Sequence, residues 1–246
     1  MTAARLFELD HPHEIRRRTA CILLGLLIVW AFALRLWYDT PDLNSTRFWD
    51  ERYGLENLEP LLKEGQLRPV HGFHPGFSYL PHGVILKASD LLSRATGSPS
   101  LAVFDARGRY TSTAYMICRT VSVLFGTSTL ILLYLIGVRL GGRRLGLLAA
   151  FLLSVVPWHL RQSFLFKADI TLLFTIVLTF YLSLRALDRP SVRSFATTGV
   201  AIGLALSSKF NAGPVAIPLT VGAFLGKESK RRAFWLLAGA ALVSVL

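Results

Sequence analysis

Two adjacent acids, Asp50 and Glu51, are the residues of this chain best suited to acid–base chemistry. They lie between Arg47 and Arg52, just beyond an apolar segment long enough to cross a bilayer. Acids near hydrocarbon are costly unless they have a partner or a function. A carboxylate at a partly dehydrated interface has a raised pKa, which suits a general base. The two acids therefore predict a catalytic site, with a solvated loop pair flanked by arginines as the alternative.

Several basic residues could bind a phosphate beside these acids. His74 lies in a turn rich in glycine and proline, for which a purely structural turn is the alternative. The other candidates lie close to predicted membrane interfaces, and they are Arg52, Arg119, Arg161, Lys167 and Lys209, with Asp169 among them. Cations stabilise a departing phosphate, while a carboxylate accepts the proton of an attacking hydroxyl. This combination predicts transfer of a group from a phosphate-linked donor.

Simpler roles are open for some polar residues. Asp169 could cap the helix that follows it, and Lys167 could extend its charge to lipid headgroups. Arg35, inside the first apolar segment, is expected to extend outward to the membrane interface. His82 is expected on the polar face of a surface helix.

The composition describes a membrane protein. Of the 246 residues, 52% are hydrophobic and only 17% are charged. This balance indicates a polytopic membrane protein and excludes an ordinary soluble domain. The net charge of +12 comes largely from Lys and Arg residues in short gaps between apolar segments, where they act as topology signals. We therefore expect contact with membrane lipids and no binding of nucleic acid.

Seven apolar segments predict an all-α polytopic membrane protein with about seven transmembrane helices. They cover residues 19–38, 114–138, 145–158, 170–184, 195–208, 213–225 and 233–246. Several are shorter than the roughly 20 residues of a usual span. The last one runs to the end of the sequence. We expect a single module over residues 1–246, with the N-terminal part of a longer protein as the alternative.

The distribution of basic residues predicts the orientation. With the N-terminus in the cytoplasm, most of the Lys and Arg residues of the short loops lie inside. The first outer loop then covers residues 39–113, and the second covers residues 158–169. The active site is expected on the outer face of the membrane, which is the plasma membrane if the source is bacterial.

Two amphipathic surface helices are predicted within the first outer loop. One contains the leucines of residues 55–62 and is perturbed by Pro60. The other lies within residues 77–95, where Val84, Ala88 and Leu91 recur at helical spacing. Polar residues between these apolar positions favour a helix on the membrane surface over one that crosses the membrane.

Five short motifs, in this order, resemble those of the GT-C membrane glycosyltransferases, especially the protein O-mannosyltransferases and the lipid A aminoarabinose transferases. They are Asp-Glu-Arg-Tyr at 50–53, His-Pro-Gly-Phe-Ser-Tyr at 74–79, Arg119, the segment 157–169 with its terminal acid, and Gly-Leu-Ala-Leu-Ser-Ser-Lys-Phe at 203–210. In the second motif the family has a proline where this chain has Gly76. The likeness extends from about residue 20 to about residue 225.

The resemblance implies inverting transfer of a sugar from a polyprenyl phosphate to an acceptor protein, lipid or glycan. Asp50 would be the general base or the acid that positions the acceptor, and His74 and Lys209 would contact the lipid phosphate. Some relatives require a divalent metal such as Mg²⁺ or Mn²⁺ and others do not, so Asp50 and Asp169 form the candidate metal pair.

Two rival hypotheses are a transporter or flippase and a non-catalytic membrane subunit. Transporters tend to carry charges at mid-membrane and to consist of related halves. Neither pattern is visible in this sequence.

Overall fold

The computed structural model of the protein describes residues 14–39, 49–66, 70, 76–189, 191–217, 235 and 238. In this part of the chain the regular structure is helical, apart from one isolated bridge between Phe104 and Tyr110. The prediction of an all-α membrane protein is thus confirmed.

The described residues form seven α-helices and three short 3₁₀ helices. The α-helices are α1 (Arg17–Asp39), α2 (Trp49–Glu64), α3 (Leu80–Thr96), α4 (Ser112–Val155), α5 (Pro157–Phe164), α6 (Ala168–Asp188) and α7 (Val192–Leu206). The 3₁₀ helices are Gly76–Ser78, Pro99–Leu101 and Phe210–Ala216. Helices α1, α4 and α6 are long and apolar enough to cross a membrane, and α7 is a shorter apolar helix.

Helix α4 consists of two membrane segments joined by a sharp turn. Gly141 and Gly142 leave the helical conformation, and Gly142 has a φ of 82°, which favours glycine. The two arms lie side by side, because a Cβ atom added to Gly137 would be only 2.6 Å from the Cα atom of Gly146. The turn therefore falls between the predicted second and third spans.

Helices α6 and α7 correspond to the predicted fourth and fifth spans. Helix α6 packs against both α4 and α7. The predicted sixth span begins in the 3₁₀ helix Phe210–Ala216 and continues outside the described residues. The seventh, at 233–246, also lies outside them except for Trp235 and Ala238.

Helix α2 is the first helix of the long loop between α1 and α4. Its leucines Leu55, Leu58 and Leu62 are buried in one cluster with residues of α3 and the beginning of α4. Burial of each leucine stabilises the fold by roughly 1.5 to 3 kcal/mol. The apolar face of α2 thus attaches this loop to α4.

Helix α3 is packed in the opposite sense to α2, which buries its leucines. Its polar side is buried in the protein, including His82 and Asp90. The predicted apolar positions Val84, Ala88 and Leu91 are exposed. An exposed apolar face opposite a packed polar face is what a helix lying on the membrane surface requires.

The expectation that Arg35 reaches the membrane interface is wrong. The side chain is fully buried, and its guanidinium donates to the Ala31 carbonyl oxygen at 2.8 Å and to His159 Nδ1 at 2.9 Å. Helix α5 contacts α1 and brings His159 to this position. Burial, with a smaller effect of the Arg35 charge, lowers the pKa of His159 to about 4, so the neutral ring can accept this hydrogen bond.

Replacing Gly137 with alanine should destabilise the protein by about 1 to 3 kcal/mol, because the new methyl group meets the backbone of Gly146, which cannot rotate away. Thermal unfolding in detergent measures the change. Gly25→Ala is the matched control, since no atom lies within 4 Å of its added Cβ. Equal unfolding temperatures for the two variants would contradict close packing of the two arms of α4.

Candidate active site

Phe166, in the segment between α5 and α6, anchors this segment against the long loop between α1 and α4. The side chain is fully buried, and its ring centroid lies 4.6 Å from that of His82 and 5.6 Å from that of Tyr79. Gly54 of α2 lies directly against the ring, because an added Cβ would be 2.6 Å from it. The residues on either side of Phe166 are therefore held close to α2.

Glu51 and Arg119 form a buried ion pair beside Phe166. Two guanidinium nitrogens of Arg119 donate to the two carboxylate oxygens of Glu51, each at 2.8 Å, and the Phe166 N–H donates to Glu51 Oε1 at 3.1 Å. The exposed fractions of the Glu51 and Arg119 side chains are 0% and 2%. Three distant parts of the chain are thereby joined at one carboxylate.

This pair also aligns the neighbouring residues. Asp50 precedes Glu51 in α2, and Lys167 follows Phe166. Because the Phe166 N–H binds Glu51, Lys167 comes next to Asp50, and their side chains form an ion pair. Half of the Asp50 side chain, 52%, is exposed, so this carboxylate is accessible in a way that Glu51 is not.

A second ion pair joins Asp169, in the first turn of α6, to Lys209, which follows α7. Lys209 Nζ donates to Asp169 Oδ1 at 2.8 Å, and 44% of the Asp169 side chain is exposed. The Phe77 N–H donates to the Ser207 carbonyl oxygen at 3.0 Å, which joins the long loop between α1 and α4 to the same end of α7. Both pairs are thus part of one surface.

Tyr79 lies within electrostatic range of the aspartates of both pairs. Burial raises the pKa of its phenol well above the ordinary value, and negative charge on Tyr53, Asp169 and Asp50 raises it further. The phenol therefore keeps its proton, and both aspartates are close enough to act on it electrostatically. The arrangement thus contains two carboxylate–lysine pairs whose acids both influence one phenol.

Four residues predicted for the site are brought together: Asp50, Lys167, Asp169 and Lys209. Glu51 and Arg119 lie in the interior and bind each other, which favours a positioning role. Their predicted catalytic and phosphate-binding roles stay predictions.

Arg52, which was also predicted to bind the donor phosphate, does not join this group. Arg52 pairs with Glu56 one helical turn along α2, at 2.9 Å, on the exposed side of the helix. His74 lies outside the described residues. Their contacts with a donor phosphate stay predictions.

The alternative of Asp169 as a helix cap is wrong. The residue at the N-cap of α6 is Lys167, and Asp169 lies in the first turn. Its carboxylate instead accepts from Lys209, while a negative charge in a first helical turn remains favourable.

A metal site is not preformed in the described part of the chain. Those residues contain no group of three or more His, Cys, Asp or Glu side chains that could hold a metal ion. Asp50 and Asp169 each have a lysine as counter-ion. The residues present therefore fit a site organised by ammonium groups, and binding of Mg²⁺ or Mn²⁺ by Asp50 and Asp169 stays a prediction.

His82 was misjudged from the sequence, because the polar face of α3 turns inward. The ring is fully buried, and its Nε2 lies 3.3 Å from Ser122 Oγ. Burial lowers its pKa to about 3, so the imidazole is neutral. The sequence sign of this inward packing is the neighbouring Gly83, because an added Cβ there would be within 2.7 Å of the leucines of α2.

Glu51→Gln should lower the free energy of unfolding by about 3 to 5 kcal/mol, because Arg119 is left charged in the interior. The double variant with Arg119→Gln should recover part of this loss. Arg52→Gln is the matched control on the same helix and should cost less than about 1 kcal/mol, since its ion pair is exposed. Reversible unfolding in mixed micelles measures all three, and equal losses for Glu51→Gln and Arg52→Gln would refute the role assigned to the buried pair.

Comparison with known proteins identifies the family. None of the curated proteins compared with the chain matches it significantly. The family model described as dolichyl-phosphate-mannose-protein mannosyltransferase matches residues 113–246, which is more than half of the chain. The match contains Arg119, Lys167, Asp169 and Lys209, whereas Asp50 precedes it. The chain, an integral membrane protein of the glycosyltransferase type, therefore belongs to the dolichyl-phosphate-mannose-protein mannosyltransferase family.

Proposed function

We propose that this protein transfers a sugar of the mannose type from a polyprenyl phosphate to an acceptor hydroxyl on the outer face of the membrane. The observation that carries the proposal is the presence of two carboxylate–lysine pairs, Asp50–Lys167 and Asp169–Lys209, whose aspartates both lie within electrostatic range of Tyr79. Such a surface offers a proton acceptor and cations within one site. The family supports the class of reaction.

Asp50 is the general base in this mechanism. Its carboxylate is half exposed at the beginning of α2, whereas the neighbouring Glu51 is fully buried and already holds Arg119. The acceptor hydroxyl gives its proton to Asp50 as its oxygen bonds to the anomeric carbon of the sugar. A positioned base of this kind contributes a factor of roughly 10² to 10⁴ in rate.

Lys167 and Lys209 receive the leaving group. As the bond between the anomeric carbon and the phosphate oxygen breaks, the polyprenyl phosphate leaves with the electron pair. Ammonium groups stabilise the charge that develops on that oxygen. Attack opposite the leaving group inverts the anomeric centre.

The proposed location follows from the membrane helices. Asp169 begins α6, and Lys209 follows α7, so both lie at the same end of this helix pair. The other end of the pair carries Arg185 in the last turn of α6, Arg189 in the connection and Arg193 in the first turn of α7. Since loops rich in arginine remain on the cytoplasmic side, the aspartate end faces outward.

Asp50→Asn should reduce transfer at least a hundredfold, because the amide cannot accept the hydroxyl proton. Membrane insertion and thermal stability should remain near those of the wild type, since Asp50 is half exposed. Glu59→Gln is the matched control, because Glu59 is an exposed acid on the same helix that also pairs with a lysine. Retention of full activity by Asp50→Asn would refute its role as the base.

Lys209→Gln should weaken inhibition by the product polyprenyl phosphate while leaving the KM for the acceptor nearly unchanged, since the ammonium group is assigned to the phosphate. Lys63→Gln is the control, because Lys63 is an exposed lysine of α2 paired with Glu59. Equal inhibition constants for Lys209→Gln and the wild type would contradict the assignment.

The reaction itself is tested with purified membranes and a panel of prenyl phosphates carrying radiolabelled sugars. Label should leave the lipid when mannose is the sugar, and it should appear on a protein, lipid or glycan acceptor. No loss of label from any lipid in the panel would refute the proposed function.

A further inference from the structure

A second polar site lies at the other end of α6 from the candidate active site. A cavity of about 440 Å³ separates the last turn of α6 from the beginning of α7. Three arginines line it, Arg185, Arg189 and Arg193, together with the hydroxyl-bearing residues Ser191 and Thr197. The rise of 1.5 Å per residue puts Arg185 about 24 Å along α6 from Asp169, which is close to the thickness of a membrane core.

The three arginines have no acidic partner among the described residues. The nearest acid along the chain is Asp188, and it is paired with Arg139 of α4. Like charges around one cavity repel each other, and an anion bound between them would remove this cost. The cavity therefore has the electrostatic character of an anion site.

The donors of this site are guanidinium groups rather than the helix terminus. At the N-terminus of α7, Ser191 and Ser194 cap each other, and the Ser194 N–H already donates to Ser191 Oγ at 3.1 Å. A planar guanidinium can give two parallel hydrogen bonds to a phosphate. Three of them favour a phosphate group over a single carboxylate.

Apolar residues beside the cavity indicate where the phosphate comes from. Leu187 and Val192 are exposed on either side of the turn between α6 and α7, with exposed fractions of 51% and 40%. Exposed aliphatic side chains next to arginines suit the boundary between lipid tails and headgroups. A free phosphate ion would leave these side chains in water, whereas the chains of a lipid would cover them. The ligand should thus carry a phosphate and apolar chains together.

We propose that this cavity binds the phosphate of an anionic phospholipid headgroup, in the leaflet opposite the candidate active site. The lipid joins α6 to α7 at the end where the described residues provide no ion pair between these two helices. Because Asp169 begins α6 and Lys209 follows α7, the bound lipid also holds together the two helices that carry the second ion pair of the candidate active site.

The test uses the full chain purified in a neutral detergent. Native mass spectrometry measures the affinity for phosphatidylglycerol, and thermal unfolding measures its effect on stability. We expect one phosphatidylglycerol to bind tightly and to raise the unfolding temperature, whereas phosphatidylcholine should do neither. The variant with Arg185, Arg189 and Arg193 all changed to Gln should lose at least about tenfold in affinity for phosphatidylglycerol.

Two control variants make the test specific. Changing Arg16, Arg17 and Arg18 to Gln removes the same charge beside the beginning of α1, and it should leave the affinity within about threefold of the wild type. Changing the three cavity arginines to Lys preserves the charge but not the planar donors, so an intermediate affinity is expected. This lysine variant also tests the site if the glutamine variant does not fold.

Two results would overturn the proposal. Equal losses in the cavity variant and the α1 variant would mean that only total charge matters. Equal stabilisation by inorganic phosphate and by phosphatidylglycerol would mean that the site takes a free anion rather than a lipid.

Discussion

The buried ion pair between Glu51 and Arg119 is the contact on which the candidate active site depends. Removing two charges from water is costly, and only a close pair with its remaining hydrogen bonds satisfied offsets that cost. Here both carboxylate oxygens accept from Arg119, and one of them also accepts from the Phe166 N–H. The geometry that satisfies Glu51 is the same geometry that brings Lys167 to Asp50. The acid used for structure therefore positions the acid assigned to chemistry.

The charged residues of α6 lie near its two ends. Asp169 and Arg185 stand near opposite ends of α6, separated by an apolar body. The long loop between α1 and α4 contains two helices that are packed in opposite senses, since α2 buries its leucines and α3 buries its polar side. A site assembled at such an end can take a phosphate from the headgroup region while its prenyl chain stays in the lipid.

Much of the architecture follows from hydropathy. The segments predicted at 170–184 and 195–208 correspond closely to α6 and α7, because a membrane accepts only long runs of apolar residues with satisfied backbones. The same rule located Lys167, Asp169 and Lys209, since charged residues between apolar runs must lie near an interface. Arg35 was wrongly expected at the interface because nothing in the sequence shows that α5 turns back over the end of α1.

The sequence by itself determined the helical class, the order of the membrane segments and the set of charged residues available for chemistry. Only the tertiary structure decided how those charges pair. Asp50 and Glu51 are adjacent and chemically alike, yet successive residues of a helix point about 100° apart. One therefore enters the packed interior and binds Arg119, while the other remains at the surface with Lys167. The direction in which each side chain points depends on what packs against α2, and that packing involves residues more than a hundred positions away, such as Phe166.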